Sequence, residues 1–190
     1  TTKKNNRQKY MKFKKNIITG SYTIFPHAFR DKRGIFTRNF CKKKYKSKKI
    51  KFNIKQTNTS FNKHKGTLRG FHFQTKTKYD DKIISCITGS ICNVTIDLRK
   101  DSKTYLKKQK IIISSKNKNS LLIPSGCANA FLTLEENTTI NYYMNTFYLP
   151  KNSKGIRFDD SFFQVKWPFR PKVISKRDKN FPNFVVNKLS

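Results

Sequence analysis

Lys82-Ile-Ile-Ser-Cys-Ile-Thr-Gly-Ser-Ile-Cys-Asn-Val-Thr-Ile-Asp-Leu98 holds two apolar-rich runs on either side of Gly89-Ser90. Each run has strand length, and a Gly-Ser pair between two such runs signals a β-hairpin. Side chains alternate along a strand, so Val94, Ile96 and Leu98 share one face. Asn93, Thr95, Asp97 and Arg99 share the other, where Asp97 and Arg99 read as a structural ion pair. Outward from this stretch, 52–57 alternates in the same way. The segments 110–114, 120–123, 130–134 and 139–144 are further strand candidates, divided by Gly, Pro and Asn turns. Only 36–45 could hold a short helix. Many short strands at this spacing point to an all-β sandwich or double-sheet barrel. From Trp167-Pro-Phe onward the pattern is less regular, and this tail is expected to pack on the outside.

The chain has 190 residues, enough for one domain with a real core, read as 16–190 behind a basic, mobile arm over 1–15. Met11 reads as a natural start, which makes the first ten residues an extension. Apolar residues reach only 35 %, but 17 Phe and 8 Tyr bury large areas each and keep a packed core feasible. No run approaches the ~20 apolar residues a spanning helix needs, and the opening lacks the apolar centre of a secretory signal. The four Cys form no C-x-x-C pair, which fits free buried thiols in a reducing cytosol. The net charge of +33 invites a polyanionic partner. Yet 34 of the 43 basic residues are Lys, and Asn, Ile and Phe are also plentiful. All four have A/T-rich codons, so coding bias accounts for much of the charge, and nucleic acid is not the expected partner.

The densest group of unusual residues is Thr67-Leu-Arg-Gly-Phe-His-Phe-Gln74. His72 and Gln74 share a face opposite Phe71 and Phe73. Arg69 would point away from His72 in a regular strand, unless Gly70 bulges the chain and brings it round. A cupin-type metal site wants a second His two residues on, and position 74 is Gln, so a metal is disfavoured. His27 and His64 fall in expected loops. Asp159-Asp160 resembles a carboxylate pair, but its Phe and Ser neighbours give no catalytic support.

Several pieces occur together in one order: Asp31-Lys-Arg-Gly34, Gln56-Thr-Asn58, Leu68-Arg-Gly-Phe-His-Phe-Gln74, Lys82-Ile-Ile, Thr95-Ile-Asp-Leu-Arg99 and Ile123-Pro-Ser-Gly126. Tyr142, Tyr148-Leu-Pro150 and Trp167-Pro-Phe169 follow in step. Over roughly residues 17–182 this series resembles the dTDP-4-dehydrorhamnose 3,5-epimerase family. The resemblance implies a metal-free, cofactor-independent cupin jelly roll, typically a homodimer, acting on a nucleotide-linked 4-keto-6-deoxy sugar in the cytoplasm. It makes His72 the proton acceptor, Asp178 its orienting carboxylate, Lys82 the cation near the C4 oxygen and Tyr142 the proton donor. Arg33 and Arg69 match positions near the diphosphate and nucleotide, and Gln56, Asn58 and Asn129 match substrate-contacting positions. Tyr143 neighbours Tyr142, and alternation lets only one of the two rings face a pocket.

Departures from the pattern are specific. Asn129 stands where the family carries a His, and Asn93 where it carries that His's Asp partner. Arg38 and Ser153 stand where it carries Glu. These changes fit a relative acting on another keto sugar, or at C3 or C5 alone, as well as the rhamnose-pathway enzyme. A ketoisomerase is a further alternative, and a basic nucleic-acid module built on the 42–49 Lys run is a more distant one.

Overall fold

In the computed structural model, which describes residues 10–75 and 80–186, Gly89-Ser90 closes no hairpin. Fourteen strands and two short helices follow in the order β1 (Lys12–Lys15), β2 (Tyr22–Phe25), β3 (His27–Asp31), β4 (Gly34–Arg38), α1 (Lys42–Ser47), β5 (Gln56–Asn62), β6 (Thr67–Gln74) and β7 (Lys82–Thr88). Then come β8 (Ser90–Asp97), β9 (Lys108–Ser114), β10 (Ser120–Ile123), β11 (Cys127–Thr133), β12 (Thr138–Met144), β13 (Ser153–Gly155), β14 (Val173–Ile174) and α2 (Lys176–Lys179). One sheet runs β1-β2-β10-β7-β12-β5 and the other β13-β6-β11-β8-β9, with β14 parallel on β6. The two runs around Gly89 therefore belong to different sheets. Gly89 has φ +68°, and a Cβ there would lie 2.2 Å from Thr138 Oγ1, so the crossing from sheet to sheet requires glycine. The result is the expected all-β jelly roll, joined by antiparallel ladders apart from β14.

Each sheet is covered on both faces, which explains why apolar residues suffice despite their modest share. Between the sheets, Ile84, Leu121, Ile123 and Ile140 of the first meet Ile91, Ile113 and Phe131 of the second. Outside the first sheet, Ile24, Ile83 and Leu122 pack on Tyr45 of α1 and on Phe52. Outside the second, Phe71, Val94 and Ile96 are roofed by Phe163, Phe184 and Trp167, so the irregular tail packs where expected. Asp160 is buried and accepts from the N–H groups of Phe162, Phe163 and Phe184, which makes it a structural tie for this roof. Lys108 Nζ, donating to the carbonyl of Phe163, adds another.

Some boundaries differ from the sequence reading. The basic arm gives way to structure before residue 15, since Lys12–Lys15 pair with β2 and Met11 is buried; residues 1–9 lie outside the described residues. The helix expected within 36–45 starts only at Lys42, because Gly34–Arg38 pair with β3 as a hairpin. Strand pairing over 52–57 begins at Gln56, since Phe52 is drawn into the core beside Tyr45. His27 lies in β3, its ring 4.0 Å from that of Phe29, and not in a loop.

Asp97 and Arg99 form the expected ion pair. Arg99 Nε and Nη2 each approach an Asp97 oxygen at 2.7 Å, and Ser102 and Thr104 hydroxyls donate to Oδ2. Burial alone would raise this carboxyl, but these donors prevail and pull it from 3.8 down to about 2. The lowered folded value means the stabilisation is present above the unfolded pKa and is lost as pH falls toward 2. At 1.36 kcal/mol per unit it amounts to roughly 2–3 kcal/mol. The urea midpoint of the wild type is expected to fall more steeply between pH 5 and pH 2 than that of Asp97→Asn. Parallel curves would show that Asp97 adds nothing.

Candidate active site

β6 carries a defect that builds the site. Gly70 has φ +118°, and the pairing of β6 with β11 shifts register here, from Asn129 opposite His72 to Phe131 opposite Arg69. The bulge cancels the alternation between positions 69 and 72, so Arg69 and His72 line one cavity between the two sheets, of about 310 Å³. Arg69 Nε is steadied by Asn62 Oδ1 at 2.9 Å.

The carboxylate behind His72 comes from the far end of the chain. β14 runs parallel to β6 and delivers α2 against it, where Ser175 caps the helix by accepting from Asp178 N. Asp178 is 4 % exposed. Its Oδ1 lies 2.9 Å from His72 Nε2, and its Oδ2 accepts from Gly70 N at 2.9 Å. Burial alone would raise this carboxyl, but hydrogen bonds from His72 and Gly70 and, more weakly, Ser175 hold it below the usual carboxylate range. The imidazole itself stays partly open, its other edge turned by Phe181, whose ring meets it edge-on at 5.7 Å.

The opposing sheet supplies the facing groups. Lys82, at the start of β7, is 9 % exposed; its Nζ lies 3.7 Å from Asp80 Oδ2 and opens on the cavity. A solvated surface lysine is thus excluded at this position. Asp80 is in turn held by Gln74 Nε2 at 2.9 Å. On β12, Tyr142 faces the cavity while Tyr143 joins the outer cluster around Tyr45, so alternation separates the two rings as expected. Burial pushes the Tyr142 phenol above its ordinary pKa, Arg69 opposes this in part and Cys86 adds to it; the hydroxyl keeps its proton at neutral pH.

Asn58 and Asn129 line the cavity, and Gln56 lies beside it, donating to Asn58 Oδ1 at 3.0 Å and accepting from Tyr148 N at 3.2 Å. Asn93, Thr95 and Asn129 form a buried neutral network beneath it. Turned so that its nitrogen faces Asn129, the Asn93 amide donates to Oδ1 at 2.8 Å. Arg33 is the exception. It sits at the tip of the β3–β4 hairpin, 90 % exposed and folded onto Asp31 at 2.6 Å, and is not part of this cavity, because the hairpin pairs with neither main sheet. Among the described residues, no three His, Cys, Asp or Glu side chains gather where they could hold a metal ion.

Arg177, Tyr148 and Asp80 also line the cavity without a role assigned from sequence, and Ser153, named there only as standing where the family carries Glu, lines it too. Arg177 Nη2 donates to Ser153 Oγ at 3.0 Å and its guanidinium lies 5.6 Å over the Phe181 ring. Hydrogen bonding from Ser153 and Arg177 lowers the Tyr148 phenol. For Arg177 the sequence signal was its adjacency to Asp178; Tyr148 lay within a matching motif.

Residues 15–185 match the family model for dTDP-4-dehydrorhamnose 3,5-epimerase. The enzyme of that name from Methanothermobacter thermautotrophicus is 32 % identical over 90 % of this chain and 92 % of its own. The Bacillus anthracis enzyme, solved with TDP and pyrophosphate bound, superimposes with a TM-score of 0.88 at 32 % identity, covering 92 % of this chain and 99 % of that one. The Legionella pneumophila enzyme, solved with dTDP-4-keto-L-rhamnose, gives 0.87 at 28 % identity and covers 95 % of each.

Proposed function

From the premise that this chain belongs to the dTDP-4-dehydrorhamnose 3,5-epimerase family, we propose that it epimerises a dTDP-linked 4-keto-6-deoxy sugar with His72 as base and Tyr142 as acid. The observation that carries the assignment of roles is the His72–Asp178 contact of 2.9 Å on one sheet, opposite Lys82 and Tyr142 on the other.

The C4 ketone acidifies the hydrogens on C3 and C5. With Nε2–H donated to Asp178, Nδ1 of His72 carries the lone pair and takes the proton from carbon. The electron pair left on carbon moves into the ketone, making an enolate whose oxygen is neutralised by the Lys82 cation. Asp178 stabilises the imidazolium without itself taking the proton. The Tyr142 O–H, raised in pKa and therefore protonated, returns a proton to the opposite face of the ring carbon. The phenolate and the imidazolium then exchange protons with solvent, and the centre is inverted. Arg69, assisted by Arg177, suits the diphosphate, since a guanidinium presents a fork to phosphate oxygens. Asn129 donates an N–H near the sugar without charge.

The homodimer and the cytoplasmic setting are part of the same reading. Phe29, Ile35 and Phe36 are exposed on the β3–β4 hairpin, an apolar surface that a second copy would cover. No helix among the described residues is long and apolar enough to cross a membrane.

Incubation with dTDP-4-keto-6-deoxyglucose in deuterated water tests the reaction, with NMR read at C3 and C5. Deuterium is expected at both carbons. Label at one carbon alone would instead identify a monofunctional epimerase. No label at either carbon from folded protein would exclude this substrate.

A further inference from the structure

On the outer face of the first sheet, beneath α1, lies a second cavity of about 660 Å³ that shares no lining residue with the first. Lys42, Lys46, Lys49, Lys51 and Lys55 converge on it, and no carboxylate is among its described lining residues. Ile50 and Phe52 supply an apolar wall. Asn145 lines it as well, 7 % exposed, with Nδ2 donating to Asp81 Oδ2 at 2.6 Å and Oδ1 without a partner. Its position follows from alternation, since Tyr142 and Met144 of β12 face the catalytic cavity and Asn145, just beyond the strand, turns the other way.

Coding bias explains many lysines in this chain, but not five around one hollow beside a buried amide oxygen that lacks a donor. We infer that this cavity binds a nucleoside polyphosphate. Five cations in one rim repel one another unless several negative charges lie between them, and Lys is a phosphate binder acting as a point charge. The Ile50–Phe52 wall calls for a flat, weakly hydrated body such as a base. Asn145 Oδ1 calls for an N–H or O–H, which base edges and ribose hydroxyls carry. Bare phosphate lacks the body; a fatty acid lacks the donor and brings only a single charge. The volume lies in the range of small-molecule sites.

Titration calorimetry of the full chain with ATP as probe tests the assignment, at 50 mM and 200 mM NaCl. One ATP per chain is expected at this site, with affinity falling as salt rises. Lys46 and Lys49 are solvent-exposed, so the double variant Lys46→Ala/Lys49→Ala keeps its fold, checked by circular dichroism, and should weaken ATP at least tenfold. Arg69→Ala, in the catalytic cavity, should leave this binding unchanged, and inorganic triphosphate should bind at least tenfold more weakly than ATP. Binding lost with Arg69→Ala but not with the lysine pair would overturn the proposal by placing ATP in the catalytic cavity. Triphosphate binding as tightly as ATP would reduce the cavity to a charged patch and overturn it too. So would the absence of binding at millimolar ATP and 50 mM NaCl.

Discussion

His72→Ala is expected to lower kcat/KM for the 4-keto sugar by about 10²–10⁴, the usual contribution of a positioned proton-transfer group. Asp178→Asn should fall in the same range for a subtler reason. The asparagine carbonyl can still accept from Gly70 N, where Oδ2 accepts now at 2.9 Å. Its amide nitrogen then faces His72 Nε2 and donates to it. That reverses the tautomer, placing the imidazole proton on Nδ1 and removing the lone pair aimed at the sugar. The fold should survive, because every buried polar group keeps a partner. Rates of deuterium exchange into substrate would report both variants directly. Activity within threefold of wild type would remove His72 from the chemistry in the first variant and Asp178 from its orienting role in the second.

Gly70→Ala is expected to be the most destabilising single-methyl change in the molecule. At φ +118° a Cβ would lie 2.5 Å from the Asn129 carbonyl oxygen, 2.6 Å from Ala130 Cβ and 2.7 Å from Ala130 Cα. Two of these three are backbone atoms of the partner strand β11, which is itself buried and paired on both sides, so nothing flexible can yield. Backbone strain and forced overpacking together cost on the order of 3–5 kcal/mol. For a chain of this size that lowers the melting temperature by roughly 10 °C or more. The change also pushes Gly70 N away from Asp178. Thermal unfolding within about 2 °C of wild type would show that β6 and β11 can part at no cost.

Much of the barrel could be read from local pattern. Alternation in Asn93-Val-Thr-Ile-Asp97 sorted the polar floor of the cavity from the apolar roof contacts, and the same period-2 rule put Tyr142 and Tyr143 on opposite faces, while the resemblance pointed to Tyr142. The resemblance pointed to His72, Lys82 and Asp178, which come from three separate elements to line or back one cavity. What failed was long-range. A Gly-Ser turn looks the same whether its strands pair with each other or pass to opposite sheets, and only the ladders to β10, β11 and β12 decide it. Arg33 shares its local motif with the family, yet its place depends on a hairpin that pairs with neither main sheet. Arg177, in a tail that has no periodicity to read, meets Ser153 of β13 at 3.0 Å from 24 residues away.

The C-terminal segment joins the barrel through a two-residue parallel pairing, one short capped helix and its aromatic roof. The base and the group that orients it therefore belong to regions of unequal cooperativity, one in a central ladder and one in a peripheral strap. Local opening of the strap costs less than global melting. A brief excursion of these residues would leave the barrel intact and the imidazole without its carboxylate, so heat should silence the enzyme before it unfolds it.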